Sequence, residues 1–142
     1  MTTLNLKVKR LSPTSKLPTK AHETDAGWDL YADINIPVTI PINGIGVIDT
    51  GIAIATPKGY CAIFKDRSSY GVTGNHILAG VIDSGYRSML KVVVYSIRGK
   101  VINPGDKFAQ MLIVPVPEVE IEEVDNLDET ERGEGGFGSS GS

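Results

Sequence analysis

Apolar and polar residues alternate along most of this chain. Leu4, Leu6 and Val8 are interleaved with Asn5, Lys7 and Lys9, the period of two expected of a half-buried strand. Short apolar runs recur over residues 34–40, 46–55, 61–65, 89–97 and 108–116. Turn chemistry separates them: Pro41-Ile42-Asn43-Gly44, Thr56-Pro57-Lys58-Gly59 and Asn103-Pro104-Gly105-Asp106 each set a glycine where the backbone turns tightly. Short strands about ten residues apart with such turns predict a sandwich or barrel. No stretch has the period of a convincing amphipathic helix, and a turn or two after Arg67 is the most expected. The predicted class is all-β.

The alternation gives way to charge near residue 118. From there to residue 131 the chain is acidic, with Glu118, Glu120, Glu122, Glu123, Asp125, Asp128, Glu129 and Glu131. The last eleven residues, RGEGGFGSSGS, hold five glycines and one aromatic side chain. Ordering so much glycine costs entropy that such a segment does not recover by itself. The expected division is a β domain over residues 1–124 and a flexible arm over 125–142. Two readings of the arm stay open: a solvated tail, or a lid anchored by Phe137, a residue costly to expose in a plain linker.

Composition narrows the class. A chain of 142 residues is one domain's worth, and 41% hydrophobic with 22% charged residues is globular and not disordered. Val and Ile number 28 against nine aromatics, which again favours strands. The longest uncharged stretch, residues 34–48, is interrupted by Pro37, Pro41, Gly44 and Gly46. A spanning helix needs ~20 apolar residues, so no membrane association is expected. Lys7, Lys9 and Arg10 precede no apolar run, so no secretory leader is expected either. The single cysteine, Cys61, has no internal disulfide partner, which fits a reducing compartment and a cytoplasmic location. A net charge of −3 leaves no basic face for duplex nucleic acid. A small polyanion differs, because a few arginines and a metal ion can hold it locally.

Five segments carry chemistry: Asp25-Ala26-Gly27-Trp28-Asp29-Leu30-Tyr31-Ala32; Asp66-Arg67-Ser68-Ser69-Tyr70-Gly71; Gly80-Val81-Ile82-Asp83-Ser84-Gly85-Tyr86-Arg87; Pro104-Gly105-Asp106-Lys107-Phe108-Ala109-Gln110; and Arg132 to Gly141. Arg67 beside two hydroxyls suits phosphate oxygens. Glycine followed by hydroxyl residues in the tail offers backbone N–H groups for another anion contact. Asp83 follows two β-branched residues, where a carboxylate is either satisfied structurally or poised as a base. His22, His76 and Cys61 lack metal-ligand spacing, and no Walker loop or GxGxxG suggests ATP or a dinucleotide.

In this order and spacing the five segments resemble the homotrimeric deoxyuridine triphosphatase (dUTPase) family, from about Leu6 to Gly141. The resemblance implies a jelly-roll-like distorted β barrel, a homotrimer, and Mg²⁺-dependent hydrolysis of dUTP to dUMP and pyrophosphate. That reaction keeps uracil out of DNA and supplies dUMP for dTMP synthesis. By the same resemblance Asp83 is the general base for a water attacking the α-phosphorus in line, and Asp29 holds Mg²⁺ through water. Arg67, Ser68 and Ser69 meet the phosphates, with Ser68 near the α,β-bridge, where charge develops. Gln110 adds a phosphate contact and Arg132 grips the γ-phosphate. Tyr86 packs on deoxyribose and leaves no room for a 2′-hydroxyl. The backbone of Gly80, Val81 and Ile82 reads the uracil edge. Phe137 stacks on the base, while Gly138, Ser139 and Ser140 close the arm over a neighbouring subunit's site.

Three positions depart from the family's pattern. Asp66 stands where glycine or proline is usual, placing a further carboxylate near the triphosphate. Lys107 replaces an arginine and loses its bidentate fork. Ser88 replaces a glycine. The related dCTP deaminases place a catalytic glutamate seven residues past their third-motif aromatic, where this chain has Val93, which cannot move protons. A non-catalytic interaction protein on the same scaffold would not require the filled catalytic positions, although room remains for a regulatory protein partner.

Overall fold

The computed structural model describes residues 3–138. Its described residues form eleven strands and one short helix: β1 (Lys7–Arg10), β2 (Trp28–Tyr31), β3 (Val38–Ile40), β4 (Gly44–Asp49), β5 (Ile52–Ala55), β6 (Tyr60–Lys65), α1 (Ser68–Val72), β7 (Asn75–Leu78), β8 (Val81–Ile82), β9 (Lys91–Ser96), β10 (Lys100–Ile102) and β11 (Lys107–Pro115). All strand pairs are antiparallel, in the orders β1-β5, β10-β3, β2-β11-β6-β8 and β4-β9-β7. The sheets wrap into a jelly-roll-like distorted barrel around Leu30, Ile40, Ile48, Ile52, Phe64, Leu90, Val92, Val94, Phe108 and Met111. Alternation explains which residues face inward: in β9, Val92, Val94 and Ser96 are buried while Lys91 is exposed.

The apolar run 46–55 is two strands. Gly51 takes a φ of +67°, and the chain leaves the β4–β9 pairing there to pair β5 with β1. Thr50 supports the break, since its hydroxyl donates to the Leu90 carbonyl at 2.7 Å. Besides the two-residue β8, strands β2, β7 and β10 lie outside the predicted runs. Each is short and carries polar residues, so their pairing comes from neighbours rather than from their own apolar content. The helix α1 is the single turn anticipated after Arg67.

The four-stranded sheet β2-β11-β6-β8 positions the chemistry, and an irregularity in it decides which way two side chains point. Lys107 pairs with Tyr31, yet Gln110 pairs with Asp29, with a register shift between Lys107 and Ala109. Three residues of β11 thus span what two residues of β2 span. In a regular strand Lys107 and Gln110 would face opposite sides. The extra residue turns both toward the face that carries Asp29 and Tyr31, while Phe108 and Ala109 are both buried.

After Pro115, residues 116–138 contain no helix or strand and are exposed throughout. Among the described residues no helix is long and apolar enough to cross a membrane.

Candidate active site

Three chain segments converge at one end of the four-stranded sheet. Asp29 projects from β2, Gln110 and Lys107 from β11, and Arg67, Ser68 and Ser69 from the corner between β6 and α1. Arg67 Nε lies 3.3 Å from Asp29 Oδ1, and Lys107 Nζ lies 3.6 Å from Asp29 Oδ2. Arg67 also donates from Nη1 to the Lys107 carbonyl at 3.3 Å. Gln110 Nε2 donates to the Asp66 carbonyl at 2.8 Å, tying β11 to the residue before Arg67. Together Ala21, Asp25, Asp29, Arg67, Ser68, Ser69 and Gln110 line an open cavity of about 380 Å³. A cation with hydroxyl and amide donors around it suits the oxygens of a polyphosphate.

Gly27 makes this corner possible. A Cβ there would collide with the Gln110 amide oxygen, so a side chain at this position would displace the amide or the strand. The functional signal in Asp25 to Asp29 therefore includes its glycine. Asp25 and Ala21 as cavity walls were not expected from sequence; Asp25 Oδ2 accepts the His22 N–H at 2.9 Å, closing a local turn.

The cavity's oxygen-rich lining suits a hard divalent cation such as Mg²⁺. Among the described residues no three His, Cys, Asp or Glu side chains are grouped to hold a metal ion by themselves. An ion here would draw most of its ligands from water and from substrate phosphates.

The third segment stands apart. Ala79 (φ +54°) and Gly80 (φ +91°) bend the chain so that the Gly80 carbonyl accepts the Phe64 N–H at 2.9 Å. A Cβ on Gly80 would press on Phe64 at 3.1 Å. Val81 and Ile82 form β8 against β6, and a turn follows in which Tyr86 N donates to the Asp83 carbonyl at 3.0 Å. The Tyr86 hydroxyl donates to the Met89 carbonyl at 3.0 Å, holding the ring upright and 39% exposed. Asp83 is exposed, and its carboxylate makes no hydrogen bond or ion pair among the described residues. It lines a separate cavity of about 430 Å³ with Lys58, Tyr60, Cys61, Ser84 and Glu118.

Register sets the separation of these two halves. Asp29 lies across from Gln110, which lies across from Lys65, while Ile82 lies across from Ala62. Three strand spacings sideways and three residues along β6 put Asp29 and Ile82 about 17 Å apart. That exceeds the reach of any side chain. Arg67 lies five residues past Ala62, the partner of Ile82, about 16 Å along the strand, and within one chain Asp83 lines a different cavity from Arg67, Ser68 and Gln110.

The described part of the arm, residues 125–138, does not close over either half of its own chain. Arg132 Nη2 donates to the Gly136 carbonyl at 3.2 Å within the arm, and Phe137 is fully exposed. Gly138 is exposed with a φ of +79°; Ser139 and Ser140 lie outside the described residues.

Asp66 departs from expectation. Its carboxylate turns away from the cavity and accepts the Ile77 N–H at 2.7 Å, with His76 Nδ1 at 2.9 Å. Lys107 spends its charge on Asp29, and Ser88 is exposed with no side-chain hydrogen bond among the described residues. Val93 sits half-buried in β9 across from Val47 and Leu78, in no position for proton transfer.

A family model described as dUTPase matches residues 14–141. The chain belongs to the dUTPase family. A deoxyuridine 5′-triphosphate nucleotidohydrolase of Gloeobacter violaceus is 38% identical over 99% of this chain and 99% of its own length. One from Candida albicans is 42% identical over 98% of this chain and 89% of its own. Among solved structures, the Staphylococcus bacteriophage 80alpha dUTPase with dUpNHpp aligns with a TM-score of 0.88 and 29% identity, covering 99% of this chain and all of the other. A phage phi11 dUTPase of S. aureus, described with a structural Mg(II) ion, aligns with a TM-score of 0.79 and 26% identity over 87% of this chain and 98% of its own. The likeness to dUTPases thus extends over nearly the whole chain.

Proposed function

We propose that this family member hydrolyses dUTP to dUMP and pyrophosphate with Mg²⁺, as a cytoplasmic homotrimer whose sites are each shared between chains. The observation that carries the reading is the split site. One half is a phosphate corner of Asp29, Arg67, Ser68, Ser69 and Gln110; the other is a nucleoside hairpin of Gly80, Val81, Ile82, Asp83 and Tyr86, with Asp29 and Ile82 about 17 Å apart across the sheet. Each half lacks what the other holds, and a second copy supplies it. Contacts of this head-to-tail kind close into a ring when three copies repeat them.

In the joined site Asp83 orients a water and accepts its proton as the water attacks the α-phosphorus in line. Its exposure suits this, because the carboxylate is open to water and has no hydrogen-bond or ion-pair partner among the described residues. Arg67, Ser68 and Gln110 hold the phosphate oxygens on which charge grows, at fixed positions set by the ties to Asp29, Lys107 and Asp66. Asp29 would hold Mg²⁺ through water, the ion neutralising substrate charge when bound. Tyr86, fixed by its bond to Met89, stands where a ring can exclude a 2′-hydroxyl. The backbone at Gly80 to Ile82 discriminates uracil from cytosine, because the wrong edge leaves a buried group unpaired. The arm, residues 125–142, brings Arg132, Phe137, Gly138, Ser139 and Ser140 to a neighbour's site, excluding water when it closes. The product supplies dTMP synthesis, and removal of dUTP keeps uracil out of DNA.

The test is pyrophosphate release from dUTP, dCTP, dTTP and UTP by the purified chain with Mg²⁺. Turnover of dUTP alone is expected. Equal turnover of dCTP or dTTP, or none of dUTP, would overturn the reading.

A further inference from the structure

Asp66 belongs to no catalytic group described above, and its surroundings are unusual for a residue beside a phosphate-binding arginine. Its backbone carbonyl accepts Gln110 Nε2 at 2.8 Å. Its carboxylate accepts the backbone N–H of Ile77 at 2.7 Å, and His76 Nδ1 lies 3.0 and 2.9 Å from the two oxygens. A carboxylate only accepts, so His76 Nδ1 carries a proton toward it. Asp66 directly precedes Arg67, the cap of α1. One residue thus joins four elements: the end of β6, the start of α1, β7, and β11 through Gln110.

We infer that Asp66 is a positioning residue for the phosphate corner, acting through Gln110 and Arg67. The cap of α1 is Arg67 itself: its carbonyl accepts the Tyr70 and Gly71 N–H groups at 3.0 Å, but no side-chain capping bond adds to them. The β7 anchor fixes the corner's direction. With the carboxylate held by Ile77 and His76, the Asp66 peptide cannot rotate, and its carbonyl stays aimed at Gln110. Arg67, the next residue, keeps its reach to Asp29 and to the Lys107 carbonyl. Displacing such a corner by an ångström misplaces every phosphate contact built on it, which is costly in transfer reactions. The inference rests on reading Arg67, Ser68 and Gln110 as phosphate contacts.

The test compares Asp66→Ala, Asp66→Asn, Gln110→Ala and the double variant Asp66→Ala/Gln110→Ala, following dUTP hydrolysis with Mg²⁺. Asp66→Ala is expected to raise KM for dUTP by about fivefold or more, and Asp66→Asn, which keeps an oxygen for the Ile77 N–H, to stay within about twofold of wild type. If Asp66 acts through Gln110, adding Asp66→Ala to Gln110→Ala should change KM by less than about twofold. Unchanged KM in Asp66→Ala, or fully additive effects, overturns the proposal. If Asp66→Ala does not fold, Asp66→Glu carries the test, since its longer arm shifts the corner. KM raised by Glu and spared by Asn supports positioning, and equal KM values overturn it. A wild-type chain without dUTP hydrolysis overturns the functional reading and this proposal together. A wild-type chain that turns over dUTP beside an indifferent Asp66→Ala overturns this proposal alone.

Discussion

At Gly27 the limit on the phosphate corner is steric, not chemical. The Gln110 amide occupies the space a Cβ would need, so Gly27→Ala forces either the strand or Gln110 to move. Overpacking of this kind costs about 1–3 kcal/mol. The melting temperature should fall and KM for dUTP should rise together; a variant as stable and as tight as wild type would show that Gln110 moves aside freely. Asp83 poses the opposite case, a residue whose value is chemical and whose structural contacts are few. Asp83→Asn should lower kcat by ~10²–10⁴-fold, the usual range for losing a general base, with nucleotide binding retained. Retention of more than about a third of kcat would remove Asp83 from the proton transfer. Such residues were legible in the sequence because each segment has a side chain with evident chemistry. Lys107 and Asp66 were visible as departures, but their partners were not: Asp29 is 78 positions from Lys107, and no local pattern reports such a pairing.

The short helix α1 has one buried side chain, Tyr70, packed where Lys100 Nζ lies 4.7 Å from its ring centroid. Burial raises the Tyr70 pKa above its ordinary value, Asp106 raises it further, and Arg67 opposes both. A phenol raised in this way keeps its proton in the fold after the unfolded chain has lost its own. Its contribution to stability is therefore complete below about pH 10 and is lost as the pH climbs beyond. Melting temperatures from pH 9 to 11 should fall more steeply for wild type than for Tyr70→Phe, and parallel curves would contradict the burial argument. Among the strands, those with strong alternation were readable and β2, β7 and β10 were not. β7 contributes only two apolar residues, and its Asn75 is buried by its neighbours. The irregularity in β11 left a trace, two consecutive buried residues, Phe108 and Ala109, between polar ones. Its effect on where Lys107 and Gln110 point requires the partner strand.

At the scale of the whole molecule, the barrel and the family were legible from segment order, and a site shared between chains was expected only through the family resemblance; which strands hold its two halves was not legible. Strand order β2-β11-β6-β8 puts Asp29 and Ile82 on opposite edge strands, and Arg67 lies past the end of β6 that β8 does not reach; sheet order does not follow from local periodicity. The exposed arm fits the same picture, since Arg132 and Phe137 find no place on their own chain. The most direct measurement of shared sites is complementation between two inactive chains. Asp83→Asn lacks the base and Arg67→Ala lacks the phosphate grip, so each alone should be nearly inactive. After unfolding and joint refolding at equal amounts, a site works when an intact Asp83 from one chain meets an intact Arg67 from another. Random mixing makes that about one site in four, so about a quarter of wild-type activity should return. Activity that stays at the level of the separate variants, although mixed trimers are seen by native mass spectrometry, would contradict the shared site.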